Sequence, residues 1–356
     1  MKKTIAFAAG IIFAAAPFFA QNSYSESDLV WKDDFGGNMN LSKGINFGGW
    51  LSQCRHTKEH YDSFINEDDV RRAAGWGFDH IRLPFDSEVV QNLDGTFIEE
   101  GFSRLEKFVG LAEDSGLDVV LDLHKACGYD FNDAGTENGN PLFSSPHLQE
   151  LFVSLWNEVS SRFGGKKNVA FELLNEVVEQ EAAEPWNTLI DRTLSVIRKN
   201  APETFVIYGG IQWNSARTLR LLRKPEFRNV IFTFHFYEPL IFTHQKAPWV
   251  PGMSPDREIK YPDTDGNLPG IELMRQMIGE ACAAAENAGV PVYCGEYGVI
   301  DRAPVKGTEA WFADVHKIFR EFGVGHAVWT YKEMDFGLTE SHYDEIRSEL
   351  IKMMTE

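Results

Sequence analysis

Short apolar runs alternate with longer amphipathic stretches along the whole chain. Eight runs stand out, at residues 44–51, 80–85, 118–124, 169–176, 205–210, 230–237, 291–297 and 325–331. Most are continuous in Val, Ile, Leu and Phe rather than alternating, the pattern of parallel strands covered on both faces. Between them, apolar residues recur at helical spacing over 148–163, 185–200, 271–288 and 309–322. Another helix starts after Asn66, an N-cap followed by Glu67, Asp68 and Asp69, whose charges suit the positive end of a helix dipole; Gly75 and Gly77 stop it. Eight alternations predict an α/β fold, a single (β/α)8 TIM barrel over residues 44–356. A doubly wound open sheet is the alternative, but no Gly-rich phosphate loop follows the first strand. Two connections are long, 125–146 after the third strand and 238–270 after the sixth. Both leave the C-terminal ends of strands, where long loops inside a compact domain are usually functional.

The first twenty residues stand apart from this pattern. Lys2 and Lys3 precede an apolar run from Ile5 to Phe19, and Ala20 is a small residue at a cleavage point. Residues 1–20 are therefore expected to be a secretory signal peptide; the run is short for a membrane anchor. Residues 21–43 are polar and Gly-rich, and are expected to cap the domain. No later segment is long and apolar enough to cross a membrane. Net charge is −19, and −21 once Lys2 and Lys3 are removed. Such a surface repels nucleic acid and anionic lipid and suits a soluble protein acting on a neutral substrate; a monomer is expected. Of the four cysteines, Cys54 and Cys127 follow strands on one barrel face and are candidates for a disulfide, whereas Cys282 and Cys294 are expected to be free and buried. No CxxC or His-rich cluster suggests a metal, and no cofactor is expected.

A barrel of this kind builds its site from the C-terminal strand ends. The second strand ends with Arg82 in IRLPF, the third with His124 in DLH, the fourth with Asn175 and Glu176 in FELLNE. The sixth supplies His235 and Tyr237, two apart and so on one side of the strand; the seventh supplies Glu296 in CGEYG, the eighth Trp329 in AVWTY. Two carboxyl groups can flank a glycosidic bond, one protonating the leaving oxygen, while tryptophan offers a flat apolar face to a sugar ring.

This set of strand ends, in this order, resembles glycoside hydrolase family 5, the cellulase-type (β/α)8 hydrolases. The resemblance runs from about Gly44 to the C-terminus and departs at Cys127, where a proline is expected after HKA. It implies retention of anomeric configuration, with Glu176 as acid/base, Glu296 as nucleophile, and Arg82, His124, Asn175, His235, Tyr237 and Trp329 in support. Arg82 and Tyr237 are then expected to hold Glu296 ionised, and Asn175 to meet the sugar 2-hydroxyl. An ionised Glu296 about 5 Å away would raise Glu176 by about two pKa units, through roughly 3 kcal/mol of repulsion at an effective dielectric near 20. Trp249 in the long sixth loop is expected to extend the sugar track; Trp50 and Trp213 are weaker candidates. The expected substrate is β-1,4-glucan or mixed-linkage β-glucan, cleaved internally. β-Mannan is the alternative, as is a non-catalytic carbohydrate-binding barrel. A metal-dependent hydrolase would need ligand clusters that the sequence does not display.

Overall fold

A computed structural model describes residues 30–32, 38–136, 139–263 and 270–356; the expected signal segment lies outside these. Eight parallel strands close into a barrel: β1 (Lys43–Asn46), β2 (His80–Asp86), β3 (Asp118–Lys125), β4 (Val169–Glu172), β5 (Val206–Gly209), β6 (Val230–Phe236), β7 (Val292–Tyr297) and β8 (Gly325–Val328). β8 pairs with β1, Ala327 opposite Gly44, and completes the ring. The single (β/α)8 barrel read from the apolar runs is thus the observed fold. A short antiparallel pair, Val30–Lys32 with Asn38–Asn40, precedes it.

Helices Pro146–Phe163, Ala183–Asn200, Ile271–Ala288 and Val305–Phe322 cover the outside close to where apolar spacing places them. Helix Glu67–Gly75 is capped as expected: the Asn66 side chain accepts from the Asp68 and Asp69 amides, and Asp69 accepts from the Asn66 amide. Helix Glu99–Asp114 covers the gap between β2 and β3. Between β5 and β6 the connection carries a 3-10 segment, Ala216–Leu221, in place of an α-helix.

Three strands stop at least three residues before their apolar runs do. β1 stops at Asn46, β4 at Glu172 and β8 at Val328. Their last residues leave the ladder and turn into the barrel mouth, where pairing is replaced by isolated bonds such as Asn175 N–H to Leu123 O at 2.9 Å.

The barrel interior is layered. Its floor is apolar: Val120, Ala170, Ile207, Ile231, Tyr293 and Ala327 meet on the axis, and Met39 and Leu41 close it from below, both at most 2% exposed. Burying each of those two side chains contributes on the order of 1.5–3 kcal/mol. Two residues further along β3 and β4, on the same inward face, stand Asp122 and Glu172, neighbours in register and 0% exposed. Each strand therefore passes from an apolar floor to a buried polar layer before reaching the mouth.

Candidate active site

The polar layer is organised by Arg82 of β2, itself 0% exposed. Its Nε and Nη2 donate to the two carboxylate oxygens of Glu172 at 2.7 and 2.9 Å. Nη1 donates to Asn46 Oδ1 at 3.0 Å and to Glu296 Oε1 at 2.8 Å, and Nη2 also donates to Asn175 Oδ1 at 2.9 Å. All five guanidinium donors are committed, to residues from β1, β4, the turn after β4, and β7. Asp122 Oδ2 adds an ion-pair contact at 3.1 Å. These carboxylates hold the guanidinium pKa well above its ordinary value against the opposing pull of burial. Glu172, Asp122 and Asn46 escaped sequence reasoning. The visible signal was a charge inside an apolar run, in FELLNE and in LDLH, since a buried charge requires a partner.

Glu296 points inward because β7 carries a bulge. Tyr293 faces the floor, so strict alternation would send Glu296 outward. Instead Cys294 pairs with Phe234 and Glu296 with His235, leaving Gly295 as an extra residue on β7. A Cβ at Gly295 would lie 2.9 Å from Thr233 Oγ1 and 3.5 Å from Arg82 Nε, so a glycine is required for this close approach. Asn46 locks the bulge by donating from Nδ2 to Gly295 O at 3.0 Å.

Above the arginine stand the two glutamates. Tyr237 OH donates to Glu296 Oε2 at 3.0 Å. Glu176, 12% exposed at its side chain, meets His235 Nδ1 through Oε1 at 2.8 Å; the same nitrogen is 3.5 Å from Glu296 Oε2. An oxygen of each carboxyl and a ring nitrogen of His235 all lie within 4.8 Å of one another. Burial pushes both carboxyl pKa values up to about 7. For Glu176 the Glu172 carboxylate adds to this, and the repulsion between the two glutamates raises Glu296. For Glu296, His235 and Arg82 pull the other way. With Arg82 and Tyr237 both donating to it, Glu296 is the better placed of the two to ionise.

His235 is pushed down to about 4 by burial and is neutral at pH 7. Its Nε2 faces Asn214 Nδ2 at 3.4 Å, which leaves its single proton on Nδ1, facing Glu176. Asn214 closes a turn in which Gln212, Trp213 and Asn214 have φ of +54°, +57° and +51°. Such strained backbone is concentrated at functional sites. His124 is pushed down to about 3, mainly by burial, then by the Arg82 charge. Its ring stacks on Trp329 at 5.7 Å and 7°, and its Nδ1 lies 2.6 Å from Asp122 Oδ2.

The fold thus brings Arg82, His124, Asn175, Glu176, His235, Tyr237, Glu296 and Trp329 to one mouth. Trp249 is 51% exposed with the Arg302 guanidinium 5.8 Å from its ring centre, and among the described residues no hydrogen bond or ring contact joins it to the glutamates. Trp213 is 52% exposed beside Asn214. Trp50 is a packing residue: it is 5% exposed, packs on Phe108 and donates to Tyr61 O. All four cysteines are free, so the candidate Cys54–Cys127 bridge is absent; the Cys54 thiol donates to Trp50 O at 3.2 Å. A cleft of about 760 Å³, lined by Gln53, His56, Asp86, Lys125 and Asp130, opens beside the mouth. Two triads have metal-ligand spacing among the described residues, His56–Asp86–Glu88 and Glu176–His235–Glu296. In both, the facing atoms already form hydrogen bonds or ion pairs with one another.

Residues 42–335 match the model for cellulase, glycosyl hydrolase family 5. The chain belongs to this family. This family 5 glycoside hydrolase is 41% identical over 285 residues to cellodextrinase A of Ruminococcus flavefaciens, covering 80% of this chain and 83% of that one. It is 34% identical over 344 residues to endoglucanase C of Acetivibrio thermocellus, covering 89% and 98%. A solved structure described as an endoglucanase superposes with a TM-score of 0.76 at 25% identity, covering 88% of the family 5 chain and 97% of its own. The family implies a polysaccharide substrate, and no helix among the described residues is long and apolar enough to cross a membrane.

Proposed function

We propose that this glycosidase is a retaining endo-β-glucanase that cleaves β-1,4-glucan or mixed-linkage β-glucan, with Glu176 as acid/base and Glu296 as nucleophile. The observation that carries the reading is the asymmetry of the pair. Their nearest oxygens lie within 4.8 Å, in keeping with the roughly 5–5.5 Å carboxyl spacing of retaining enzymes rather than the 6.5–9.5 Å of inverting ones. Only Glu296 receives Arg82 and Tyr237. Glu176 Oε1 faces His235, and Oε2 makes no hydrogen bond among the described residues and is left to the substrate.

Glu176 protonates the glycosidic oxygen as Glu296 attacks the anomeric carbon, giving a glycosyl ester. Esterification removes the Glu296 charge, and Glu176, now a carboxylate, takes a proton from the water that hydrolyses the ester. Asn175 is held by Arg82 where its amide N–H groups can meet the 2-hydroxyl, and Trp329 offers its face to the ring. The endoglucanase and cellodextrinase names of the relatives support a β-1,4-linked glucan substrate. Export through residues 1–20 and a monomeric state complete the proposal, on the signal-like N-terminus and the acidic surface.

Glu296→Ala should abolish hydrolysis of lichenan and carboxymethylcellulose, and azide should restore part of it. Glu176→Gln should retain activity on aryl glycosides with good leaving groups and lose it on the polysaccharides. Near-normal glucan hydrolysis by Glu296→Ala would overturn the assignment.

A further inference from the structure

The loop after β1 reaches back over the site, and at its tip Gln53 holds an unusual backbone conformation, φ +53°. A non-glycine residue pays for this conformation with steric strain, so something must hold it there. Asp86 does so at the end of β2: its Oδ2 accepts the Gln53 amide N–H at 3.3 Å. The same oxygen faces His56 Nε2 at 3.0 Å, and His56 Nδ1 is braced by Tyr61 OH at 2.6 Å. The outcome of this construction is the placement of one side chain. Gln53 Nε2 comes to 3.1 Å from His124 Nε2, joining the mouth to the neighbouring cleft.

The protonation of His124 follows from its partners. A neutral imidazole has one donor and one acceptor nitrogen. Asp122 Oδ2 lies beside the Arg82 guanidinium and is therefore an acceptor, so His124 Nδ1 carries the hydrogen. Nε2 then presents a lone pair toward Gln53, whose side-chain NH2 is a donor. That lone pair accepts one Gln53 amide hydrogen, which fixes the amide in place, and the second amide hydrogen is then available to donate to one sugar hydroxyl.

We infer that Gln53 is a specificity-determining residue whose amide, paired with His124, reads one hydroxyl of the sugar held at Trp329. The inference rests on the function proposed above. A site built to bond a hydroxyl discriminates against the analogue that lacks it, because its buried polar groups are left unpaired. The ligand class is a neutral pyranoside with that hydroxyl in place.

The test uses the full-length protein and an aryl β-cellobioside, together with its 2-, 3- and 6-deoxy analogues at the reacting sugar. Glycine adopts φ +53° freely, so Gln53→Gly removes the amide without lowering Tm. The variant should lose roughly 3- to 10-fold in kcat/KM on the parent substrate, the worth of one hydrogen bond. On one deoxy analogue the loss should shrink to less than about twofold by the same measure. Equal losses on every analogue, or wild-type kinetics on the parent, would overturn the inference. If Gln53→Gly melts early, Gln53→Met makes the same comparison with the side-chain bulk retained. Failure of the wild-type enzyme to cleave the parent cellobioside would overturn the functional reading, and this inference with it.

Discussion

Replacing Arg82 by lysine keeps the charge at the barrel centre and removes the geometry. The guanidinium makes five hydrogen bonds to four residues, at 2.7–3.0 Å. A lysine ammonium has three donors on one nitrogen, so at least two of those bonds are lost. All four partners are buried, and leaving a buried acceptor without its donor costs about 1–3 kcal/mol, with the upper part of that range for the carboxylates. Arg82→Lys should therefore destabilise the fold by about 3–5 kcal/mol, lowering Tm by about 4–8 °C. Glu296 loses a charge-assisted bond worth about 1.5–3 kcal/mol, so kcat on an aryl β-cellobioside should fall about 10- to 100-fold even at temperatures where the variant is folded. Scanning calorimetry and steady-state kinetics at a temperature well below the variant's Tm separate the two effects. A variant within about 2 °C and threefold of the parent would refute the argument, since coulombic attraction alone would then hold the layer together.

Gly295→Ala should cost activity far more than a surface change, because its Cβ would be driven to 2.9 Å from Thr233 Oγ1 and displace the bulge that aims Glu296; kcat within threefold of the parent would show that the bulge is not needed. The double variant Glu176→Gln/Glu296→Gln is inactive but informative about stability. Both carboxyl pKa values are raised on folding to about 7, so the folded protein retains protons that the unfolded chain releases above pH ~4.5, and these groups cost stability as pH rises through that window. The stability of the double variant relative to the parent should therefore rise between pH 4.5 and pH 7.5, by up to about 6 kcal/mol for the two groups together. A pH-independent gap would contradict the raised values.

Much of the fold was legible because its signals are local. Eight apolar runs became the eight barrel strands, and six of their ends carried a polar or aromatic site residue. What escaped is non-local. Glu172 was visible as a charge in an apolar run, but its partner lies 90 residues away on another strand. The inward aim of Glu296 depends on one extra residue in a register, and a pattern of period two cannot display a break in itself. Cys54 and Cys127 both line the lateral cleft, yet cysteines on one face need matched Cα spacing and Cβ direction before they can bridge. Trp50 and Trp329 look alike in sequence; only packing separates a core indole bonded to Tyr61 O from one stacked on His124 at the mouth.

The composition of the polar layer also constrains where a proton resides. Asp122, Glu172, Glu176 and Glu296 are gathered around a single arginine, while His124 and His235 are held neutral by burial. Full ionisation would leave several uncompensated charges in a dry barrel, so the layer retains protons instead, and burial raises all four carboxyl pKa values. Which group keeps a proton follows from access to the cation. Glu172 takes two of the guanidinium donors and Glu296 takes one more with Tyr237, so these ionise first. Glu176 has no hydrogen bond to Arg82, only a neutral imidazole, and on the proposed mechanism it is the group that needs a proton to give. The acid is thus selected by exclusion from the arginine fork. The order of ionisation should follow Arg82, while repulsion between the two glutamates opposes their ionising together.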